Sequence, residues 1–197
     1  MDIENNKEEV PFGHYEELFQ AADAQEMASR SGAKWEDGKF YVNLLGTEYV
    51  ISHPEYEITP ACPLPVQTFL LRYLLEGKKT QWEGNFKTFR EMPWGELYIK
   101  PYTGRVLTRA AFTFGTRVAA FKAACEKMGA RKLSHGDAGY EFQFLPGFLV
   151  QIMVWEGDDE FPPNAQVLYS DNFESGFAPE DRVVVGDILI SVIKGNM

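Results

Sequence analysis

The segment Phe148-Leu149-Val150-Gln151-Ile152-Met153-Val154-Trp155 contains a single polar residue, Gln151. Pro146-Gly147 stands before it, and Glu156, Asp158, Asp159 and Glu160 follow. An apolar run of this kind is far short of the ~20 residues a membrane helix needs. It has the length of a strand, and a strand with no polar alternation is covered on both faces. It therefore predicts the centre of a sheet. Arg131–Ser134 and Tyr140–Leu145 read as strands before it, separated by the turns Gly136-Asp137-Ala138-Gly139 and Pro146-Gly147. Ala165–Tyr169 reads as a further short strand or helix.

Elsewhere the apolar spacing is helical. Tyr15, Leu18, Phe19, Ala22 and Met27 form one stripe of a helix over Gly13–Arg30, with Gly32 as its stop. Val66, Phe69, Leu70, Tyr73 and Leu74 form the buried face of a second helix, with Pro65 near its start and Gly77 at its end. Phe114, Val118, Phe121 and Cys125 form the face of a third, over about Arg109–Met128. Pro179–Ile193 closes the chain as a helix whose buried set is Val183, Val184, Ile188, Leu189 and Val192. Between the first two helices, Asp37-Gly38 supplies the positive φ values of a tight hairpin between Lys34–Glu36 and Lys39–Leu44, and Tyr49–Ile51 continues the meander. The aromatic-rich stretch Gln81–Gly104 reads as a short helix, a turn and a short strand. Helices and meanders are intermixed without strand–helix–strand alternation. The expected fold is α+β, a mixed, largely antiparallel sheet with about four helices packed on it. Residues 1–12 read as a polar tail and 13–197 as a single domain.

The formal net charge is −10, with 19 basic residues against 29 acidic ones. Nucleic-acid binding requires clustered Lys and Arg, so no nucleic acid and no membrane surface is expected as a partner. Cys62 and Cys125 are too few and too far apart for a disulfide scaffold or a thiolate cluster. Cys125 reads as a core residue and Cys62 as a half-buried loop residue. No secretory apolar segment opens the sequence, so a cytoplasmic location is expected. No dinucleotide fingerprint, phosphate loop, G-x-S-x-G elbow or H-E-x-x-H is present, and His14, His53 and His135 are scattered. The sequence assigns no cofactor and no metal site.

Three polar segments remain as candidates. Asp158-Asp159-Glu160, bracketed by Trp155 and Phe161, could hold a hard cation or do acid–base work; a solvated turn would look the same. In Phe89–Gly95, Arg90 could clamp an oxyanion or brace against Glu91 or the acidic turn, and Trp94 could stack on a ligand or pack in the core. His135 and Asp137 could line a site at the strand ends, or Asp137 could only form a turn.

On Pro65-Val66-Gln67, Phe89-Arg90-Glu91 with Pro93 and Gly95, Gly136-Asp137-Ala138, Leu145-Pro146, and Trp155 with Asp159-Glu160-Phe161-Pro162, the chain resembles a bacterial and archaeal domain-of-unknown-function family. The resemblance spans roughly Tyr15–Ile193. It implies a setting mostly in anaerobes, in one-carbon or corrinoid metabolism, as an accessory or ligand-binding protein. Some such proteins carry a cysteine-rich iron–sulfur module that this sequence lacks. The resemblance draws attention to Arg90, Glu91, Asp137, Trp155, Asp159 and Glu160 without giving them roles.

The leading expectation is a small-molecule or cofactor binding module, with Trp94, Tyr98 and Trp155 as walls and Arg90 and Asp137 as anchors. Glu91, Asp159 and Glu160 complete the candidate ligand-binding set. Its partner would be a small molecule or a protein of one-carbon or corrinoid metabolism. The alternatives are a protein–protein interaction domain presenting exposed aromatics, and a metal-assisted or acid–base enzyme built on Asp158, Asp159, Glu160, Asp137 and His135.

Overall fold

The computed structural model describes residues 9–197, with the side chains from Pro11 onward. Most of the expected polar tail lies outside the described residues; its last part, from Glu9, is the start of a helix. Two compact units are distinguished. Unit 1 comprises residues 1–80 and 175–177, and unit 2 comprises residues 81–174 and 178–197.

Unit 1 contains helices α1 (Glu9–Ala21), α2 (Ala24–Ser31) and α3 (Leu64–Glu76) and an antiparallel sheet ordered β1 (Lys34–Glu36), β2 (Lys39–Leu44), β3 (Thr47–Ser52), β4 (Ile58–Thr59). The first helix is two helices because Asp23 caps α2, its carboxylate accepting the Glu26 N–H at 2.8 Å. The Asp37-Gly38 hairpin forms as expected, both residues at positive φ. All five residues expected on the buried face of α3 are buried, and Phe177 stacks on Phe69 and Tyr73.

Unit 2 is built on an antiparallel sheet ordered β5 (Phe86–Thr88), β9 (Asn164–Ser170), β8 (Phe148–Trp155), β7 (Ala138–Leu145), β6 (Arg131–Leu133). The apolar strand is central, as its composition requires, and Val150, Ile152 and Val154 are fully buried. The helices are α4 (Gly95–Tyr102), α5 (Arg109–Phe114), α6 (Val118–Lys127), the single turn α7 (Phe173–Gly176), which carries the chain into Ser175–Phe177, and α8 (Pro179–Gly195). Helices are more numerous than the expected four. Besides the break at Asp23, the helix expected over Arg109–Met128 is interrupted between Phe114 and Val118.

In Gln81–Gly104 the order of elements is the reverse of the expectation, with strand first and helix second. Thr88 ends β5 and caps a 3-10 turn over Phe89–Glu91. Glu91 Oε2 accepts from both the backbone N–H and the hydroxyl of Thr88, at 2.7 and 2.8 Å. The chain then enters α4 at Gly95. A Cβ there would lie 2.0 Å from the Phe89 carbonyl oxygen, so only glycine permits this approach.

Candidate functional site

Most sequence-predicted residues are engaged with their own chain. Arg90 is exposed, and its Nε and Nη2 grip the two oxygens of Glu96 at 2.6 and 2.8 Å. Among the described residues no hydrogen bond or ion pair joins Arg90 to the acidic turn. Glu91 is the cap of its own turn, and the Thr88 backbone N–H and then the Thr88 hydroxyl hold its carboxyl below the ordinary value. The Tyr98 hydroxyl donates to Glu180. Trp94 heads α4 at φ 65° and is 66% exposed; Leu97, one turn on, is 72% exposed. Of the aromatics in this stretch, Phe89 and Tyr102 are buried.

Asp137 is drawn to the start of the acidic turn. Its N–H donates to the Val154 carbonyl at 3.0 Å, and its Oδ2 accepts the Glu156 N–H at 2.8 Å. Asp158 closes the turn on itself, its Oδ1 accepting from the N–H groups of Glu160 and Phe161 at 2.9 and 2.7 Å. Those two bonds, Phe161 first, hold its carboxyl low. Asp159, Glu160 and His135 are exposed, Trp155 is half-buried and Phe161 is 67% exposed. Phe161 therefore does not pack down over the acids. Among the described residues no group of three His, Cys, Asp or Glu side chains is placed to hold a metal ion, and no helix is long and apolar enough to cross a membrane.

A different polar cluster lies inside unit 2. It begins with a helical defect. Between α4 and α5 the helix widens to π geometry over Thr103–Thr108, directly after Pro101, which has no N–H to give to the helix ladder. Such widenings recur at functional sites. The widened turn buries Tyr102 and Val106. It is tied to α8 by Arg105 and, from α5, Arg109, both of which pair with Asp187. Where α8 passes Val106 it has Gly186. A Cβ at Gly186 would lie 2.8 Å from both Val106 methyls and 3.0 Å from Tyr169 Oη. The missing side chain lets the Tyr169 hydroxyl reach in and donate to the Arg182 carbonyl at 3.1 Å.

Tyr102 lies flat on Phe89, with centroids 4.1 Å apart and planes 6° apart, and its ring is 6.4 Å from that of Tyr169. Its buried hydroxyl is turned toward the Tyr169 side chain as a donor, though outside strict hydrogen-bond geometry. Burial, then the neighbouring Tyr169, raises this phenol well above its ordinary value, and burial likewise raises Tyr169.

Arg182 stands in the first turn of α8 and is 1% exposed, and its Nε and Nη1 have no hydrogen-bond partner among the described residues. Burial pulls its pKa down, against the pull of Glu174, Tyr169, Glu180 and Asp181. Two of these acids are held by other groups: Glu174 accepts from Lys87 Nζ at 2.8 Å and Glu180 from Tyr98. A guanidinium keeps its proton at accessible pH. Burying it without full pairing costs on the order of several kcal/mol. The arrangement therefore leaves two charged donors of a buried guanidinium unmet.

Sequence reading missed this cluster because arginine in the first turn of a helix is ordinarily solvated. The available signals were Arg182 abutting Val183-Val184-Val185, a glycine inside that helix, and Pro101 beside Tyr102.

The family model described as Domain of unknown function (DUF3786) matches residues 23–192. Comparison with curated proteins and with solved structures gives no match. Tyr102, Tyr169 and Arg182 all fall within the matched stretch, and the chain belongs to the DUF3786 family of domains of unknown function.

Proposed function

We propose that this protein is a small-molecule binding module whose binding centre is the cluster of Tyr102, Tyr169 and Arg182. The observation that carries the reading is the buried guanidinium with two unpaired nitrogens. Evolution rarely retains such a cost without a use, and perturbed buried groups cluster at functional sites. The anchors first expected, Arg90 and Asp137, are satisfied by Glu96 and by the Glu156 N–H, which favours the interior cluster over them. The acidic-turn enzyme has less support, because Asp158 is bound to its own turn.

A role as a cytoplasmic accessory protein of anaerobic metabolism is part of this proposal. So is a partner from one-carbon or corrinoid metabolism, with nucleic acid and membranes excluded. These parts rest on the family resemblance and on the acidic composition. The test is a thermal-shift screen of metabolites against wild type and Arg182→Met. A ligand that raises the wild-type melting temperature and leaves the variant unmoved supports the reading. Ligands that shift both equally would place binding elsewhere.

A second reading, a protein interaction domain, is favoured by one observation: Trp94 and Leu97 stand exposed side by side at the head of α4. Trp94→Ser with Leu97→Ser would then abolish co-purification of a partner from the native host. An unchanged partner set would end that reading.

A further inference from the structure

Two phenylalanines of unit 2 stand in water, Phe161 in the acidic turn at 67% exposure and Phe112 on α5 at 58%. A lone exposed apolar residue is ordinary, but these two belong to one place. The end of α5 abuts the turn: a Cβ on Gly115 would lie 2.5 Å from Pro163 Cβ and 2.8 Å from the Trp155 carbonyl oxygen. Helix and chain geometry then keep the Phe112 and Phe161 Cα atoms within roughly 18 Å, a distance that a helix of about 12 residues spans.

Both rings are held outward by their surroundings. The Phe161 N–H donates to Asp158 Oδ1 at 2.7 Å, and its carbonyl accepts the Asp158 N–H at 2.9 Å. Phe112 is flanked on α5 by the buried Ala110, Ala111 and Phe114, which leaves it the opposite side of the helix.

The charge around them is one-sided. Glu156, Asp158, Asp159 and Glu160 are exposed, and among the described residues none of the four is in an ion pair. Arg117, just past α5, gives its Nη2 to the Thr113 carbonyl at 3.3 Å and offsets at most one of these charges. Such a surface repels nucleic acid, anionic membranes and a second copy of the chain, which carries the same turn. It suits apolar side chains set beside Lys or Arg, whose cations are attracted by carboxylates and by ring faces. An extended peptide would need an unpaired strand edge, whereas Phe112 sits on a helix and Phe161 in a turn. A helix docks through its side chains alone.

We infer that Phe112, Phe161 and the turn at residues 156–160 form a docking surface for a basic amphipathic helix of a partner protein. This surface shares no residue with the Arg182 cluster or with the Trp94–Leu97 pair, so its fate is independent of both.

The test is fluorescence anisotropy of the full chain with a labelled helical peptide of about 18 Leu and Lys residues carrying one apolar stripe. A Leu–Glu peptide with the same stripe is the control. The Leu–Lys peptide is expected to bind saturably and the Leu–Glu peptide not at all. Phe112→Ser with Phe161→Ser leaves the charge unchanged and is expected to weaken binding about tenfold or more, the scale of an aromatic anchor. Asp159→Asn with Glu160→Gln should weaken it about threefold and flatten its salt dependence. Trp94→Ser with Leu97→Ser should leave it unchanged.

Equal binding to wild type and to the phenylalanine variant overturns the inference, because attraction to the net charge of −10 would then suffice. Equal binding of the two peptides, or no saturable binding, does the same. Loss of binding only in the Trp94 and Leu97 variant would move the surface to α4. A dimer seen by sedimentation and dissolved by the phenylalanine variant would give it to a second copy instead.

Discussion

Tyr169 Oη donates to the Arg182 carbonyl at 3.1 Å across the space that a side chain on Gly186 would fill. This contact joins β9 to the first turns of α8 and fixes where the guanidinium emerges. Gly186→Ala should therefore be destabilising although alanine is the better helix former. Overpacking of about 1–3 kcal/mol outweighs a propensity benefit of up to about 1 kcal/mol. A net loss near 1 kcal/mol in urea denaturation is expected. A more stable Gly186→Ala would show that α8 can move away from Val106 at little cost.

Arg182→Met, measured without added anion, should raise stability. Methionine carries no charge, so the substitution removes the desolvation cost of a guanidinium whose Nε and Nη1 have no partner among the described residues, a cost on the order of several kcal/mol. Chemical denaturation of the two proteins in a buffer free of carboxylates checks this. A clear loss of stability would mean that Glu174, Glu180 and Asp181 already satisfy the guanidinium.

Gly95→Ala should be more damaging than Gly186→Ala, because its Cβ meets backbone rather than side chain. A loss of about 3 kcal/mol, at the upper end of overpacking effects, is expected in the same assay. The Trp94–Leu97 surface should be disturbed with it.

Asp171 gives a pH dependence whose sign is fixed. Burial alone would raise its carboxyl, but the N–H groups of Glu83 and Asn85, each bound at 3.1 Å, outweigh that and hold it below the ordinary 3.8. A depressed folded value means that its contribution is complete above the ordinary value and is lost as pH falls through the folded one. The urea midpoint should fall between about pH 5 and pH 2, and Asp171→Asn should flatten that dependence. An unchanged slope would remove Asp171 from the account.

Cys62 should be slow to alkylate. Burial pushes its thiol up from 9.0 to about 11, so its thiolate fraction near neutral pH is about a hundredfold lower. Iodoacetamide modification followed by mass spectrometry should rise steeply with pH and be slow at pH 7. Rapid labelling would show a thiolate favoured by its surroundings.

Where a pattern is local, the sequence predicts it well. Asp37-Gly38, the face of α3 and the apolar β8 each depend on residues within a few positions of one another. Gln81–Gly104 is read in the wrong order because its aromatics follow neither period. The Thr88–Glu91 cap and the Gly95 approach decide there instead. The interior cluster is illegible for a deeper reason. Phe89 and Tyr102, Tyr169, and Arg182 come from three separate stretches, and only packing reveals that an arginine has lost its water. Charged residues in turns attracted attention for their type, although the structure leaves most of them exposed or bound to the nearest backbone.

The return of Ser175–Phe177 to unit 1 bears on how the molecule is made. Phe177 supplies an aromatic ring that stacks on Phe69 and Tyr73, yet it is translated only after β5 through β9. A ribosome releasing this chain exposes residues 1–80 long before that ring arrives. Unit 1 must then wait with part of its aromatic packing missing, so its completion is coupled to the synthesis of the whole sheet of unit 2, though not of α8.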